Sequence, residues 1–185
     1  MKIKTKKMDY DKVMALPREK HLEPLRPNRI LQFAVRVLSI LDLWPVKFSY
    51  TTEGMEKIGK KEPCLILMNH SSFIDLKIAS TVLYPRPFNI VCTADGLVGK
   101  KWLMRQLGCI PTQKYVTDIR LVRDMVHALH KEKSSVLMYP EAGYSFDGTA
   151  TMLPDTLGGC LKLLKVPVVM IRTFGAFSRD PLYNN

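Results

Sequence analysis

The sequence is short of acid, cysteine and histidine, and each shortage removes a class of function. It has 17 Asp and Glu against 28 Lys and Arg, a formal net charge of +11 over 185 residues. An excess of that size favours phosphate-bearing partners, whether nucleic acid, anionic lipid or a phosphorylated cofactor. No basic-aromatic RNA signature or zinc-type recognition unit occurs, which makes nucleic acid the weaker choice. The four cysteines, Cys64, Cys92, Cys109 and Cys160, lie far apart and form no CxxC pair. They read as reduced thiols of a cytosolic protein, not as a disulfide framework or a zinc site. Of the four histidines, His127 and His130 stand three apart on an expected helix. With no third ligand nearby they read as surface residues, and no metal is expected there.

Long apolar runs, repeats and low-complexity tracts are missing too. The apolar share of 46% and charged share of 24% are globular values, and the length suits one domain with its own core. No apolar segment follows the first lysines, so a secretory signal is not expected. The first 29 residues instead hold nine Lys and Arg. They fit either a solvated arm or a basic segment drawn to an anionic leaflet by about 1 kcal/mol per charge.

Residues 28–44 follow as a helix, with Asn28 as cap and Pro45 as stop. Arg29, Gln32, Arg36 and Ser39 make one narrow polar stripe, and apolar residues from Ile30 to Trp44 cover the rest. This helix is too short, and too interrupted by Arg36, to span a bilayer. It either packs on the domain or lies in a membrane interface.

Beyond it, short apolar runs alternate with helical patterns. Strands are expected at 46–52, 64–68, 88–92, 136–139 and 166–171, the first with Val46, Phe48 and Tyr50 on one face. Helices are expected from 73, over 99–107 with Trp102, Leu103 and Leu107 inward, and over 118–131. In the last, Ile119, Val122, Val126 and Leu129 repeat at helical spacing, with Thr117 or Asp118 as cap. A further helix contains Gly158 and Gly159, which are expected to let it pack closely. The alternation argues an α/β class, one domain with a largely parallel or mixed sheet flanked by helices. A basic arm and amphipathic helix over 1–45 thus precede an α/β domain over 46–185.

The stretch around which the rest is arranged is Cys64-Leu65-Ile66-Leu67-Met68-Asn69-His70-Ser71-Ser72-Phe73-Ile74-Asp75. Its apolar run stops at Asn69 and His70, and Ser71 and Ser72 can cap a helix beginning near Phe73. His70 therefore lies on a strand-to-helix turn, where open α/β sheets bind ligands. On one continuous helix, residues five apart point about 140° away from each other. A turn between them lets Asp75 reach one imidazole nitrogen, which fixes the tautomer and leaves the other as a base. The competing reading is a hydrogen-bonded polar histidine and a first-turn acid that favours the helix dipole. Gly143-Tyr144-Ser145-Phe146-Asp147-Gly148 nearly matches G-x-S-x-G, but its second glycine is one place late and no histidine follows. That excludes the α/β-hydrolase order.

Asn69-His70-x4-Asp75 resembles the first motif of the glycerolipid acyltransferases, the 1-acylglycerol-3-phosphate acyltransferase group. Leu107-Gly108-Cys109-Ile110-Pro111, Tyr139-Pro140-Glu141-Ala142-Gly143-Tyr144-Ser145 and Val166-Pro167-Val168 follow in that family's order. The resemblance covers 46–172. It implies transfer of a fatty acyl group from acyl-CoA or acyl carrier protein, as co-substrate, to the hydroxyl of a lysophospholipid such as 1-acylglycerol-3-phosphate. On that implication His70 is the general base and Asp75 orients it, with no cofactor or metal required. Asn69, Glu141, Gly143 and Ser145 become substrate-binding candidates.

The family's third motif reads aromatic-Pro-Glu-Gly-Thr-Arg-Ser. Glu141 and Ser145 match it; Ala142, Gly143 and Tyr144 do not. Tyr144 stands where the family has an arginine associated with the acceptor's phosphate. Either Lys114 takes that task, helped by Lys101 or Arg105, or the acceptor lacks the phosphate. Lysine holds a phosphate as a point charge, without arginine's bidentate fork. The altered motif keeps a second possibility open, a catalytically idle lipid-binding or membrane-scaffold protein on the same fold. The resemblance also favours the interface reading of 28–44. That implies an anionic membrane surface as partner and a cytoplasmic, peripherally membrane-associated location. The chain stops sooner after 166–168 than those it resembles, so a C-terminal part of their fold is expected to be absent.

Overall fold

Five short apolar runs lie side by side in the structure, a computed structural model that describes residues 9, 21–93, 99–112, 119–145 and 147–179. They are β1 (Leu65–Met68), β2 (Phe88–Thr93), β3 (Cys109–Thr112), β4 (Ser135–Met138) and β5 (Val168–Ile171), in the order β3-β2-β4-β1-β5. Every pairing is parallel, so the sheet is not mixed. Strands buried on both faces need near-continuous apolar sequence, and β1 and β4 supply it. Ile66 and Leu137 face α1 (Arg29–Leu43) and α2 (Ile74–Val82), joined there by Ala176 of α6 (Ala176–Arg179). Leu65 and Val136 face α4 (Ile119–Val126), its π-helical continuation (His127–Lys131), and α5 (Leu157–Leu164). A short α3 (Lys101–Gln106) lies between β2 and β3.

This order sets the site. β1 and β4 are neighbours, yet the chain leaves β1 through α2 on one face and leaves β4 toward α5 on the other. Right-handed crossovers require that split, and it opens a crevice at the carboxyl ends of the two strands.

Several expectations are corrected. Residues 46–52 do not join the sheet. Phe48 and Tyr50 do share a side, with ring centroids 5.9 Å apart, but Lys47 is left-handed at φ 52°. The segment and β5 both line a cleft of about 850 Å³. Alternation without a hydrogen-bonding neighbour does not make a strand. On α3, Trp102 and Leu103 are exposed. The inward side meets the 21–28 segment instead: Arg105 donates to the Glu23 carbonyl and the Asn28 amide to the Gln106 carbonyl. Gly108 turns the chain from α3 into β3 at φ +84°, where a Cβ would stand 2.5 Å from the Pro27 ring.

On α4, Ile119 is exposed and Met125, Ala128 and Leu129 are buried. The wider π turn after Val126 rotates the inward face away from the simple helical repeat. The expected cap at Thr117 or Asp118 lies outside the described residues. His127 is not a surface residue: it is mostly buried, 3.6 Å from Glu23 and 3.4 Å from Glu132. His130 is exposed and donates to the Leu164 carbonyl. Gly158 and Gly159 face open space, so they bring nothing close to α5.

The Asn28 side chain caps α1, accepting from the Ile30 and Leu31 amides at 2.9 and 3.2 Å. Most of the polar stripe turns inward. Ser39 is buried and donates to the Val35 carbonyl, and the Arg36 guanidinium lies 4.3 Å from the Tyr84 ring centroid. Ile30, Phe33, Val37, Leu38, Leu41 and Trp44 face outward. Among the described residues no helix is long and apolar enough to cross a membrane.

Candidate active site

The turn after β1 is closed by its own polar side chains. Asp75, in the first turn of α2, is fully buried, and its Oδ2 lies 2.9 Å from His70 Nδ1. The same oxygen accepts from the Ser71 amide at 2.6 Å and the Ser72 amide at 3.0 Å. This corrects the expected capping by Ser71 and Ser72. The carboxylate reaches back to both amides, because a charged acceptor makes the stronger bond. Ser72 keeps a minor share, its Oγ accepting from the Ile74 amide at 3.4 Å and donating to the Ala176 carbonyl at 3.2 Å. Asn69 is committed elsewhere. Its Oδ1 accepts from the Thr173 amide at 2.8 Å and its Nδ2 donates to the Thr173 carbonyl at 3.1 Å, tying the end of β1 to the end of β5. Asp75 next to the Nδ1 edge makes that nitrogen the donor and leaves the Nε2 lone pair outward.

The turn after β4 lies across the crevice. The Ser145 amide donates to the His70 carbonyl at 2.7 Å and the Ala142 amide to the Tyr139 carbonyl at 3.1 Å. Ala142 holds a left-handed φ of 52°, at the position where the family motif has glycine. The Tyr139 ring stacks on the His70 imidazole at 3.7 Å between centroids, and Tyr144 covers it at 3.9 Å. Burial, and then the Asp75 charge, push the Tyr139 phenol well above its ordinary value, so it stays neutral. Burial also raises Glu141, against an opposing pull from His70. Ser145 Oγ donates to Asp147, which the Thr149 hydroxyl and amide also satisfy.

The fold thus brings His70, Asp75, Glu141, Tyr144 and Ser145 together. Gly143 sits on the same turn, and its amide has no acceptor among the described residues. Arg105 is committed to the Glu23 carbonyl, Lys101 is half-buried on α3, and Lys114 lies outside the described residues. The sequence reading missed Tyr139 as a partner of His70 and Thr173 as the partner of Asn69. The signal for Tyr139 was its place at the carboxyl end of a second apolar run. Nothing in the sequence said that this run lies beside β1. Among the described residues no group of three His, Cys, Asp or Glu side chains could hold a metal ion.

Against known proteins, the acyltransferase family model matches residues 49–172. No curated protein matches the chain. Among solved structures, the chain is similar to the 1-acyl-sn-glycerophosphate (LPA) acyltransferase PlsC from Thermotoga maritima. The TM-score is 0.57 at 18% identity, over 76% of this chain and 56% of that one. The chain therefore spans little more than half the length of that protein, and at this identity the likeness is one of fold.

Proposed function

Because the chain belongs to the acyltransferase family, we propose that it moves a fatty acyl group from a thioester carrier to a lipid hydroxyl. The carrier is acyl-CoA or acyl carrier protein, and the acceptor a lysophospholipid such as 1-acylglycerol-3-phosphate. The observation that carries this reading is the 2.9 Å contact of His70 Nδ1 with the buried Asp75 carboxylate. An alcohol needs activation before it attacks a thioester. As the acceptor oxygen bonds to the carbonyl carbon, its proton passes to Nε2 and Asp75 stabilises the imidazolium. The carbonyl oxygen becomes an oxyanion, for which the Gly143 amide is the candidate donor. Collapse then breaks the C–S bond, and the leaving thiolate takes the proton back. Both substrates meet in one ternary complex, and the scheme needs no acyl-enzyme, metal or cofactor.

The test is CoA release from acyl-CoA, with and without a panel of lysophospholipids. His70→Ala is expected to abolish acceptor-dependent release and leave the fold intact, since the turn keeps its backbone bond to Ser145. Near-normal turnover by that variant would end this reading. Absence of any acceptor-dependent release from the unaltered chain would favour the idle lipid-binding or scaffold alternative.

For an acceptor phosphate, Lys114 is the proposed contact, since Arg105 is committed to Glu23 and Tyr144 covers His70. Lys114→Ala is expected to raise the KM for lysophosphatidate about tenfold, the effect of losing ~1.5 kcal/mol of charge-assisted hydrogen bonding. Unchanged kinetics, with equal reaction of an acceptor lacking a phosphomonoester, would remove the phosphate from the reading. The outward apolar face of α1, preceded by basic sequence, supports peripheral association with an anionic membrane surface on the cytoplasmic side. Binding to vesicles is expected to rise with anionic lipid and to fall with salt. Equal binding to neutral and anionic vesicles at every salt concentration would exclude the electrostatic part.

A further inference from the structure

Resting on the reading of His70 as the base, we propose that Tyr139 and Tyr144 clamp its imidazole by the two faces, with Tyr144 a positioning residue for proton transfer. The Asp75 bond fixes one ring nitrogen only. A single hydrogen bond leaves the ring free to tilt about that contact and to swing Nε2 away from an attacking oxygen. Two aromatic faces remove this freedom. Tyr139 lies 3.7 Å from the imidazole centroid at 16° between planes, and Tyr144 lies 3.9 Å away at 32°.

Both tyrosines come from the turn after β4, and that turn is tied to the histidine itself. The Ser145 amide, next to Tyr144, donates to the His70 carbonyl at 2.7 Å. Phe73, three residues beyond His70, backs Tyr144 with ring centroids 5.7 Å apart. The two jaws are therefore set by backbone and packing, independent of any substrate. With both faces covered and Nδ1 on Asp75, the 17% of the side chain that stays exposed is left to the edge carrying Nε2. A ring that gains its proton there is a cation held between two aromatic faces. Tyr144, one of the three residues at which the third motif departs from its family, is thus used here by the histidine.

The experiment compares Tyr144→Ala and Tyr144→Phe with the unaltered chain by two readouts. The first is the NMR position of the His70 ring protons, which stacked rings shift upfield whether or not the protein turns over. The second is steady-state kinetics with acyl-CoA and a lysophospholipid. Tyr144→Ala is expected to move the ring protons downfield. It should lower kcat about tenfold, one ~1.4 kcal/mol step in the barrier, with KM for both substrates nearly unchanged. Tyr144→Phe is expected to recover the upfield position and most of the lost kcat. If Tyr144→Ala fails to fold, Tyr144→Leu, which keeps bulk without an aromatic face, takes its place. Parent values of kcat and ring-proton position in the non-aromatic variant would overturn the proposal, as would a Phe variant that recovers neither. His70→Ala in the same series separates the two readings. Should it keep turnover, the base assignment fails while the His70 ring-proton shift in the Tyr144 variants still reports the clamp. Should it lose turnover while Tyr144→Ala keeps full kcat, the clamp alone fails.

Discussion

In the turn after β1 the polar side chains bond to their own turn and to the segment that follows β5, whereas in the turn after β4 rings stack on the histidine and a backbone amide ties the two turns. Asp75 Oδ2 collects His70 Nδ1 and two amides, all within 3.0 Å. Its opposite number has Ala142 at φ 52° and a Glu141 carboxyl raised by burial. The first turn takes one bond from the second, the Ser145 amide on the His70 carbonyl, and draws its other bonds from elsewhere. Asp75 Oδ1 is buried and without a hydrogen-bond partner among the described residues. The second turn is shaped around the first. A turn that closes on itself is held by hydrogen-bond energy, and one that closes on a neighbour also tolerates strain where the neighbour fixes its path.

The largest effect expected from this contrast is at Asp75. Asp75→Ala leaves the Ser71 and Ser72 amides buried without their acceptor, at about 1–3 kcal/mol each. Unfolding in denaturant should show a loss of about 3 kcal/mol or more, together with loss of turnover. A loss below about 1 kcal/mol would mean that the second turn holds the first. Next comes Ala142→Gly. The residue is exposed, so little packing is lost, and removing the Cβ relieves the left-handed backbone. A gain of about 1 kcal/mol is expected, and any loss would contradict strain in this turn.

The smallest effect is a pH dependence at Glu141. Its folded-state value is raised, so the folded protein binds that proton more tightly than the unfolded chain does. The associated stability is complete below the unfolded value, about pH 4, and is lost as pH rises through the raised folded value. Glu141→Gln removes this dependence. Its unfolding midpoint should exceed that of the unaltered chain at neutral pH, and the difference should shrink as pH falls toward 4. A constant difference across that range would assign the effect to something other than ionisation.

How far the chain could be read follows the same division. His70 and Asp75 were legible because a strand end, a turn and a helix start within six residues leave few geometries, and one of them joins the pair. The Asn28 cap and the strands at 64–68, 88–92, 136–139 and 166–171 were legible for the same local reason, to within a residue or two. Residues 46–52 carried the right alternation, but a strand exists only through a partner and none adjoins them. The faces of α3 and α4 were misjudged because the 21–28 segment and a π turn decide which side is covered. Periodicity gave α1 a polar stripe and an apolar remainder, and could not say that much of the stripe would face the domain. The sequence determined the strand-turn-helix unit, its histidine and its carboxylate, because their contacts are short-range. Only the tertiary structure decided that β4 lies beside β1 and lays two tyrosines on the imidazole, because strand order depends on crossovers that local pattern does not encode.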